Sequence, residues 1–145
     1  MSGELNGEPS GELSSILYVE DDPQLRGVAK MALEVIGHFK VRECGSGRTA
    51  LLAAADFQPD LILLDVQAAG SDGVATLAQL RRMPHLCHTP AMFVTGRVSA
   101  ADMARYVAAG AAGIIAKPLE PLRLAGQLRR LWSERRTAGA GLLPV

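Results

Sequence analysis

The sequence is poor in the residues that mark several large classes of protein. It contains only two cysteines, Cys44 and Cys87, so a disulfide framework is excluded and a reducing, cytoplasmic location is expected. Aromatic residues make up 4% of the chain, and 15 basic residues balance 15 acidic ones. A formal net charge of zero argues against a protein whose main task is to hold nucleic acid or an anionic membrane.

Long hydrophobic runs are also missing, and the apolar stretches are much too short to span a bilayer. We therefore expect no membrane insertion. Residues 1–14 contain no basic residue and no apolar segment of the kind that a secretory signal requires. They are rich in glycine, serine and glutamate, which predicts a flexible leader. Residues 135–145 are predicted to form a flexible tail, which leaves residues 15–134 as a single domain.

The chain is rich in short apolar segments that alternate with helical patterns, and 48% of its residues are hydrophobic. Continuous apolar runs predict strands that are buried on both faces, and an alternating segment predicts a further strand nearer the sheet edge. The predicted strands are residues 16–19, 39–44, 61–64, 91–94 and 114–116.

Helix signals fill the segments between these strands. Asp22 followed by Pro23 predicts a helix start, and Gly37 predicts its end. Gly110 and Gly113 are expected to bracket the turn into the fifth strand. Five units of strand followed by helix predict an α/β domain, with a parallel sheet, right-handed crossovers and helices on both faces.

Polar and charged residues follow the predicted strands directly. Glu20 and Asp21 come after the first strand, Asp65 after the third, Thr95 after the fourth and Lys117 after the fifth. In a doubly wound sheet, ligands bind outside the carboxyl ends of the strands. These side chains are therefore expected to meet at one edge of the sheet.

Crowded carboxylates repel each other, and a divalent cation relieves that repulsion. Oxygen ligands without histidine or cysteine favour Mg²⁺ over zinc. A magnesium site beside a lysine and a hydroxyl suits phosphoryl transfer, in which negative charge spreads over the phosphoryl oxygens. A carboxylate can itself act as the nucleophile and form an acyl phosphate.

Several segments together resemble the motifs of response-regulator receiver domains of two-component signalling: ILYVEDDP, LILLDV, DVQAAGSDG, FVTG and AKP. The resemblance covers roughly residues 14–134. It implies a flavodoxin-like, doubly wound five-stranded parallel sheet of strand order 2-1-3-4-5, with helices on both faces. It also implies that Asp65 is the phosphoacceptor, and that Thr95 and Lys117 contact the phosphoryl group.

By the same resemblance, Mg²⁺ is expected to be held by Glu20, Asp21, Asp65 and the backbone carbonyl of Gln67. The phosphoryl donor would be a sensor histidine kinase or a histidine phosphotransfer protein. The chain would act as a single-domain response regulator that signals to a downstream target protein by protein–protein contact. It is not expected to be an enzyme beyond Mg²⁺-dependent self-phosphorylation and slow self-dephosphorylation. Asp22 is better suited as a helix cap than as a metal ligand.

Three positions depart from the family pattern. Ala69 replaces a usual proline, Ile114 a usual aromatic residue, and Leu119 a frequent phenylalanine. The phosphorylation chemistry needs none of these three residues. The usual conformational response to phosphorylation does involve the aromatic ring, so without it the way in which this domain would respond is left open. The first alternative is therefore a degenerate receiver module that acts as a phosphorylation-independent interaction domain. If phosphorylation occurs, it could activate the domain or make it a phosphate sink.

Other chemical interpretations are weaker. A phosphohydrolase with an aspartate nucleophile needs a second carboxylate two residues later, where this chain has Gln67. His85, Cys87 and His88 are too few and too closely spaced for a zinc site, so they predict a surface loop. The arginines near the C-terminus predict a solvated or partner-docking helix face. We expect no DNA binding, because no helix-turn-helix follows them.

Overall fold

The computed structural model describes residues 11–67 and 72–138, with side chains described up to residue 135. Five parallel strands form one sheet: β1 Ser15–Val19, β2 Lys40–Cys44, β3 Leu61–Asp65, β4 Ala91–Thr95 and β5 Ala111–Ala116. Their order across the sheet is β2-β1-β3-β4-β5. The predicted α/β class, the parallel sheet and the strand order are confirmed.

Four α-helices connect successive strands, and a fifth follows β5: α1 Pro23–Met31, α2 Gly47–Ala54, α3 Gly73–Leu80, α4 Ala100–Ala108 and α5 Pro121–Ala138. A π-helical turn, Ala32–Ile36, extends α1 as far as Gly37, where the sequence predicted the helix end. The predicted start of α1 is also confirmed. The Asp22 side chain accepts hydrogen bonds from the backbone N–H groups of Gln24 and Leu25, so it caps the helix.

The core consists of two apolar layers, one on each face of the sheet. Successive residues of a strand point to opposite faces, so Leu17 and Val19 join one layer while Ile16 and Tyr18 join the other. The first layer is covered by α2, α3 and α4, and the second by α1 and α5. Because both faces are covered, the central strands are continuously apolar rather than alternating.

The fifth strand is longer than predicted. β5 begins at Ala111 rather than Ile114, so Gly113 lies within the strand and not in the turn before it. A Cβ at Gly113 would lie 3.2 Å from Leu131 Cδ1, so the missing side chain lets α5 approach the sheet closely. Alanine and glycine carry little hydrophobic signal, which is why the apolar pattern placed the start of the strand too late.

The described chain extends beyond the predicted domain of residues 15–134 at both ends. Within the predicted leader, Leu13 is buried, and the Gly11 carbonyl accepts a hydrogen bond of 2.8 Å from Trp132 Nε1. At the other end, α5 continues through Ala138, so the first residues of the predicted tail are helical. The rest of the predicted leader (1–10) and tail (139–145), and residues 68–71, lie outside the described residues. None of the helices in the described ranges combines the length and apolar character needed to cross a bilayer.

Candidate functional site

The carboxyl edge of the sheet brings the predicted acidic residues together. Glu20 and Asp21 follow β1, and Asp65 is the last residue of β3. One carboxylate oxygen from each residue lies within 4.8 Å of the other two. Glu20 and Asp65 are 2% and 1% exposed, while Asp21 is half-buried. Three carboxylates this close repel each other unless a positive charge lies among them.

Lys117 supplies one such charge from the end of β5. Its Nζ donates a hydrogen bond of 2.7 Å to Asp65 Oδ2. Burial acts to lower the pKa of Lys117, but the hydrogen bond and the charge of Asp65, followed by the charges of Glu20 and Asp21, outweigh it and raise that pKa above its usual value. Lys117 is therefore a stable ammonium group beside the carboxylate that it contacts.

Glu20 is the least satisfied member of the acidic cluster. Its Oε2 accepts a hydrogen bond of 3.1 Å from the backbone N–H of Asp22, whereas its buried Oε1 has no hydrogen-bond partner among the described residues. Burial, followed by the neighbouring Asp65 carboxyl, raises the pKa of Glu20 to about 7. An unpartnered buried oxygen in a cluster of oxygen donors fits a hard divalent cation such as Mg²⁺.

Gln67 lies beside the acidic cluster. Its backbone N–H donates a hydrogen bond of 2.9 Å to Asp65 Oδ1, which holds the start of the loop against that carboxylate. Its side-chain Nε2 donates to Thr95 Oγ1 at 3.2 Å. The side chain of Gln67 thus connects the ends of β3 and β4.

Thr95 is fully buried at the end of β4, and its hydroxyl has several neighbours. Thr95 Oγ1 accepts a hydrogen bond of 2.9 Å from the backbone N–H of Arg97 and lies 3.1 Å from the hydroxyl of Tyr106 on α4. Tyr106 was not among the site residues predicted from the sequence. Its signal in the sequence is a single aromatic residue in a helix otherwise made largely of alanine and charged residues.

The loop from β3 to α3 depends on Gly73, which was also not predicted from the sequence as a site residue. The Gly73 N–H donates to the carbonyl of Val66 at 2.9 Å. A Cβ at Gly73 would lie 2.7 Å from Val66 Cα and 3.0 Å from the Asp65 carbonyl oxygen. Only glycine permits this approach of the helix start to the end of β3. Ala69, one of the departures from the family pattern, lies in the segment outside the described residues.

The histidine and cysteine side chains lie outside the acidic cluster. In the part of the chain that is described, the acidic cluster is the one group of three or more histidine, cysteine or acidic side chains whose ligand atoms converge, and His85, Cys87 and His88 do not belong to it. Burial raises the pKa of the Cys44 thiol to about 11, which suits packing rather than nucleophilic chemistry. The peptide bond between Lys117 and Pro118 is cis.

Several of the C-terminal arginines interact within the chain. Arg129 donates a hydrogen bond to the Gly37 carbonyl and lies over the Phe39 ring, and Arg135 lies 3.9 Å from the centre of the Trp132 ring. These contacts join α5 to its own surroundings. Arg129 and Arg135 are therefore not part of a purely solvated helix face.

A flavodoxin-like parallel sheet whose carboxyl edge carries an acidic cluster, a threonine and a lysine is the arrangement expected of a receiver-type signalling domain. The chain belongs to the response regulator receiver domain family, whose profile matches residues 16–129. Members of this family are signalling modules of two-component systems rather than classical enzymes.

The curated relatives are longer proteins. The chain is 30% identical over 117 residues to the signal transduction histidine-protein kinase BarA of Escherichia coli K12, which covers 80% of this chain and 12% of BarA. It is 33% identical over 118 residues to the transcriptional regulatory protein YvrH of Bacillus subtilis, covering 81% of this chain and 48% of YvrH. The chain thus spans less than half the length of either relative.

Solved structures of single receiver domains match this chain along nearly their whole length, and two examples follow. Chemotaxis protein CheY4 of Vibrio cholerae is 27% identical, with a TM-score of 0.76 and coverage of 83% of this chain and 99% of CheY4. A CheY-like receiver domain from Methanospirillum hungatei is 24% identical, with a TM-score of 0.73 and coverage of 88% and 100%, and shows the shared fold.

Proposed function

We propose that this receiver domain accepts a phosphoryl group on Asp65 from a sensor histidine kinase or a histidine phosphotransfer protein. The observation that carries the proposal is the position of the Asp65 carboxylate, which lies both in the acidic cluster and 2.7 Å from the Lys117 ammonium. A carboxylate held between a cation-binding cluster and a fixed ammonium group can serve as a nucleophile towards phosphorus.

In the proposed reaction, an oxygen of the Asp65 carboxylate attacks the phosphorus of a phosphohistidine on the partner. The new O–P bond forms as the P–N bond breaks, and the imidazole nitrogen leaves with the electron pair. Lys117 would pair with one phosphoryl oxygen, and the hydroxyl of Thr95 would donate a hydrogen bond to another. Both residues would stabilise the charge that spreads over the phosphoryl oxygens in the transition state.

Mg²⁺ would be held by Glu20, Asp21, Asp65 and the backbone carbonyl of Gln67. The oxygen-only donor set and the unpartnered Oε1 of Glu20 support this assignment. When bound, the ion supplies positive charge that offsets the charge of the transferring phosphoryl group.

The phosphoryl group adds negative charge at this edge and would bias the surface that a downstream target protein contacts. We propose that the signal passes by protein–protein contact, without direct DNA binding and without a released product. We place the exchange in the cytoplasm, an assignment supported by Cys44 and Cys87, which are both free thiols.

The test is phosphorylation by a small phosphodonor with Mg²⁺, followed by intact mass. Wild type is expected to gain the mass of one phosphoryl group, and Asp65→Asn is expected to gain none. Asp56→Asn is the matched control, because Asp56 is exposed and pairs with Arg42 away from the site. A chelator in place of Mg²⁺ is expected to prevent the gain. A gain that persists in Asp65→Asn would refute the assignment of the phosphoacceptor.

The alternative is an interaction module that works without phosphorylation. Ile114 favours it, because this buried β5 residue has no ring that could respond to Thr95. The intact acidic cluster and the contact between Lys117 and Asp65 argue against it. Wild type that gains no phosphoryl mass, but still binds a partner protein, would establish the alternative.

A further inference from the structure

Helix α4 is attached to the sheet mainly through one side chain. Tyr106 is the one residue of α4 that is buried, and its ring packs edge-on against Phe93 of β4, with ring centroids 5.6 Å apart and an interplanar angle of 80°. The ring lies in the same apolar layer as Ile114. The position of α4 therefore depends strongly on where the Tyr106 side chain sits.

The hydroxyl of Tyr106 meets the hydroxyl of Thr95 at 3.1 Å, and both residues are 0% exposed. The Thr95 hydroxyl has one proton and two lone pairs. Four groups nevertheless lie within hydrogen-bonding distance of it: Tyr106 Oη, Gln67 Nε2, and the backbone nitrogen and carbonyl oxygen of Arg97. Thr95 cannot turn its hydroxyl towards a phosphoryl group on Asp65 without giving up some of these contacts.

The partners of Thr95 differ in whether water can replace the hydrogen bond that each of them would lose. Gln67 is exposed, so its amide can turn to water, and Arg97 is exposed two residues further along the same loop. The Tyr106 hydroxyl is buried, so water cannot take the place of Thr95 unless the side chain moves. The contact that resists the rotation of Thr95 is therefore the one with α4.

Resting on the proposed function, we infer that Tyr106 is a positioning residue that couples the Thr95 hydroxyl to helix α4. In the unphosphorylated domain, its hydroxyl holds Thr95 away from Asp65. When Thr95 turns to the phosphoryl group, the Tyr106 side chain shifts and α4 moves with it. This coupling runs through α4 and needs no aromatic residue at position 114 of β5.

A second contact links α4 to the same region. Arg105 donates from Nη2 to Asp72 Oδ1 at 3.4 Å, and its guanidinium lies 5.6 Å from the centre of the Tyr106 ring. Asp72 caps the start of α3, directly after the loop that follows Asp65. A shift of Tyr106 would therefore also disturb the contact between α4 and α3.

The test compares amide NMR spectra of the full chain with and without beryllofluoride and Mg²⁺, as a mimic of the phosphoryl group. Tyr106→Phe keeps the ring and its packing on Phe93 but removes the hydroxyl. Tyr18→Phe is the matched control, because Tyr18 is the other tyrosine, is equally buried, and has a hydroxyl with no hydrogen-bond partner in the described part of the chain.

In wild type, the mimic is expected to shift the amides of Val66, Gln67 and α4. In Tyr106→Phe, the shifts of Val66 and Gln67 are expected to remain, while those of α4 fall by about half or more. Binding of the mimic is expected to become roughly fivefold tighter, because Thr95 no longer has to leave a buried hydrogen bond. Tyr18→Phe is expected to match wild type.

Unchanged α4 shifts in Tyr106→Phe, or an equal loss in Tyr18→Phe, would overturn the inference. Thr95→Val tests the same contact from its other side. It is expected to lose the α4 shifts but to bind the mimic more weakly, and retained α4 shifts would count against the coupling even if Tyr106→Phe failed to fold. Wild type in which Val66 and Gln67 do not respond would refute the proposed function, and this inference with it.

Discussion

Glu20 illustrates how the surroundings of a single residue set its charge. It is nearly fully buried, and burial together with the nearby Asp65 carboxyl raises its pKa from an ordinary 4.5 to about 7. Between these two pH values, the folded domain binds a proton at Glu20 that the unfolded chain has already released. The Glu20 contribution to stability is therefore fully present below about pH 4.5 and is lost as the pH rises towards about 7.

In a buffer with a chelator, Glu20→Gln is expected to abolish the decrease in stability that Glu20 causes as the pH rises. Wild type is expected to lose up to about 3 kcal/mol more than the variant between pH 4.5 and pH 8, since one pKa unit corresponds to about 1.4 kcal/mol. The free energy of unfolding in urea at several pH values measures the difference. Glu34→Gln, at a partly exposed helix pair with Lys30 away from the acidic cluster, is the control and should follow wild type. Parallel pH profiles of wild type and Glu20→Gln would contradict the prediction.

Helices α3 and α5 each contain a glycine, but the surroundings of the two glycines differ. At the first residue of α3, Gly73 lies so close to β3 that a Cβ would overlap the backbone of Val66. Within α5, Gly126 is exposed, and a Cβ there would meet nothing within 4 Å. The first glycine is required by a close approach of two elements, while the second only lowers the helix propensity of its surroundings.

Alanine substitutions at these positions are expected to have opposite effects. Gly73→Ala should lower the free energy of unfolding by about 1–3 kcal/mol, because a clash with backbone forces α3 to shift. Gly126→Ala should raise it by about 0.5–1 kcal/mol through helix propensity. Urea unfolding followed by circular dichroism measures both effects. Equal changes in the two variants would show that the contact of Gly73 with β3 does not constrain the fold.

At the scale of the whole molecule, the segment before β1 joins distant parts of the chain. The backbone N–H of Ser14 donates to Asp60 Oδ2 at 2.9 Å, and Trp132 Nε1 donates to the Gly11 carbonyl at 2.8 Å. Leu13, between these anchors, is 6% exposed and belongs to the layer under α1 and α5. Residues 11–14, which belong to the predicted leader, thus pack against the rest of the described chain.

Leu13→Ala is expected to destabilise the domain by about 2–3 kcal/mol, as expected for a buried leucine. Leu122→Ala is the matched control, since Leu122 is 81% exposed, and it should change stability by less than about 0.5 kcal/mol. Fluorescence of Trp132, the only tryptophan, reports unfolding next to this segment. A Leu13 variant as stable as the control would show that the segment before β1 adds nothing to the core.

Local patterns explain which parts of the fold could be predicted. The strands β1, β3 and β4 are continuously apolar because both of their faces are covered, and this pattern made them predictable. Asp22 was predictable as the cap of α1 because the N–H groups that it binds lie only two and three residues further along the chain. The start of β5 was missed because Ala111 and Gly113 give no hydrophobic signal, although α5 packs closely over Gly113. That closeness involves an element much later in the chain, so no local pattern contains it.

From the sequence alone, the strand ends determined that acidic residues, Thr95 and Lys117 share one edge of a parallel sheet. Only the tertiary structure decided that one Glu20 oxygen has no partner among the residues described, that Lys117 contacts Asp65, and that Tyr106 reaches Thr95. The physical reason is the range of the forces involved. Strand and helix patterns depend on neighbours along the chain, whereas desolvation, charge and hydrogen bonding depend on distances that exist only after the chain has folded.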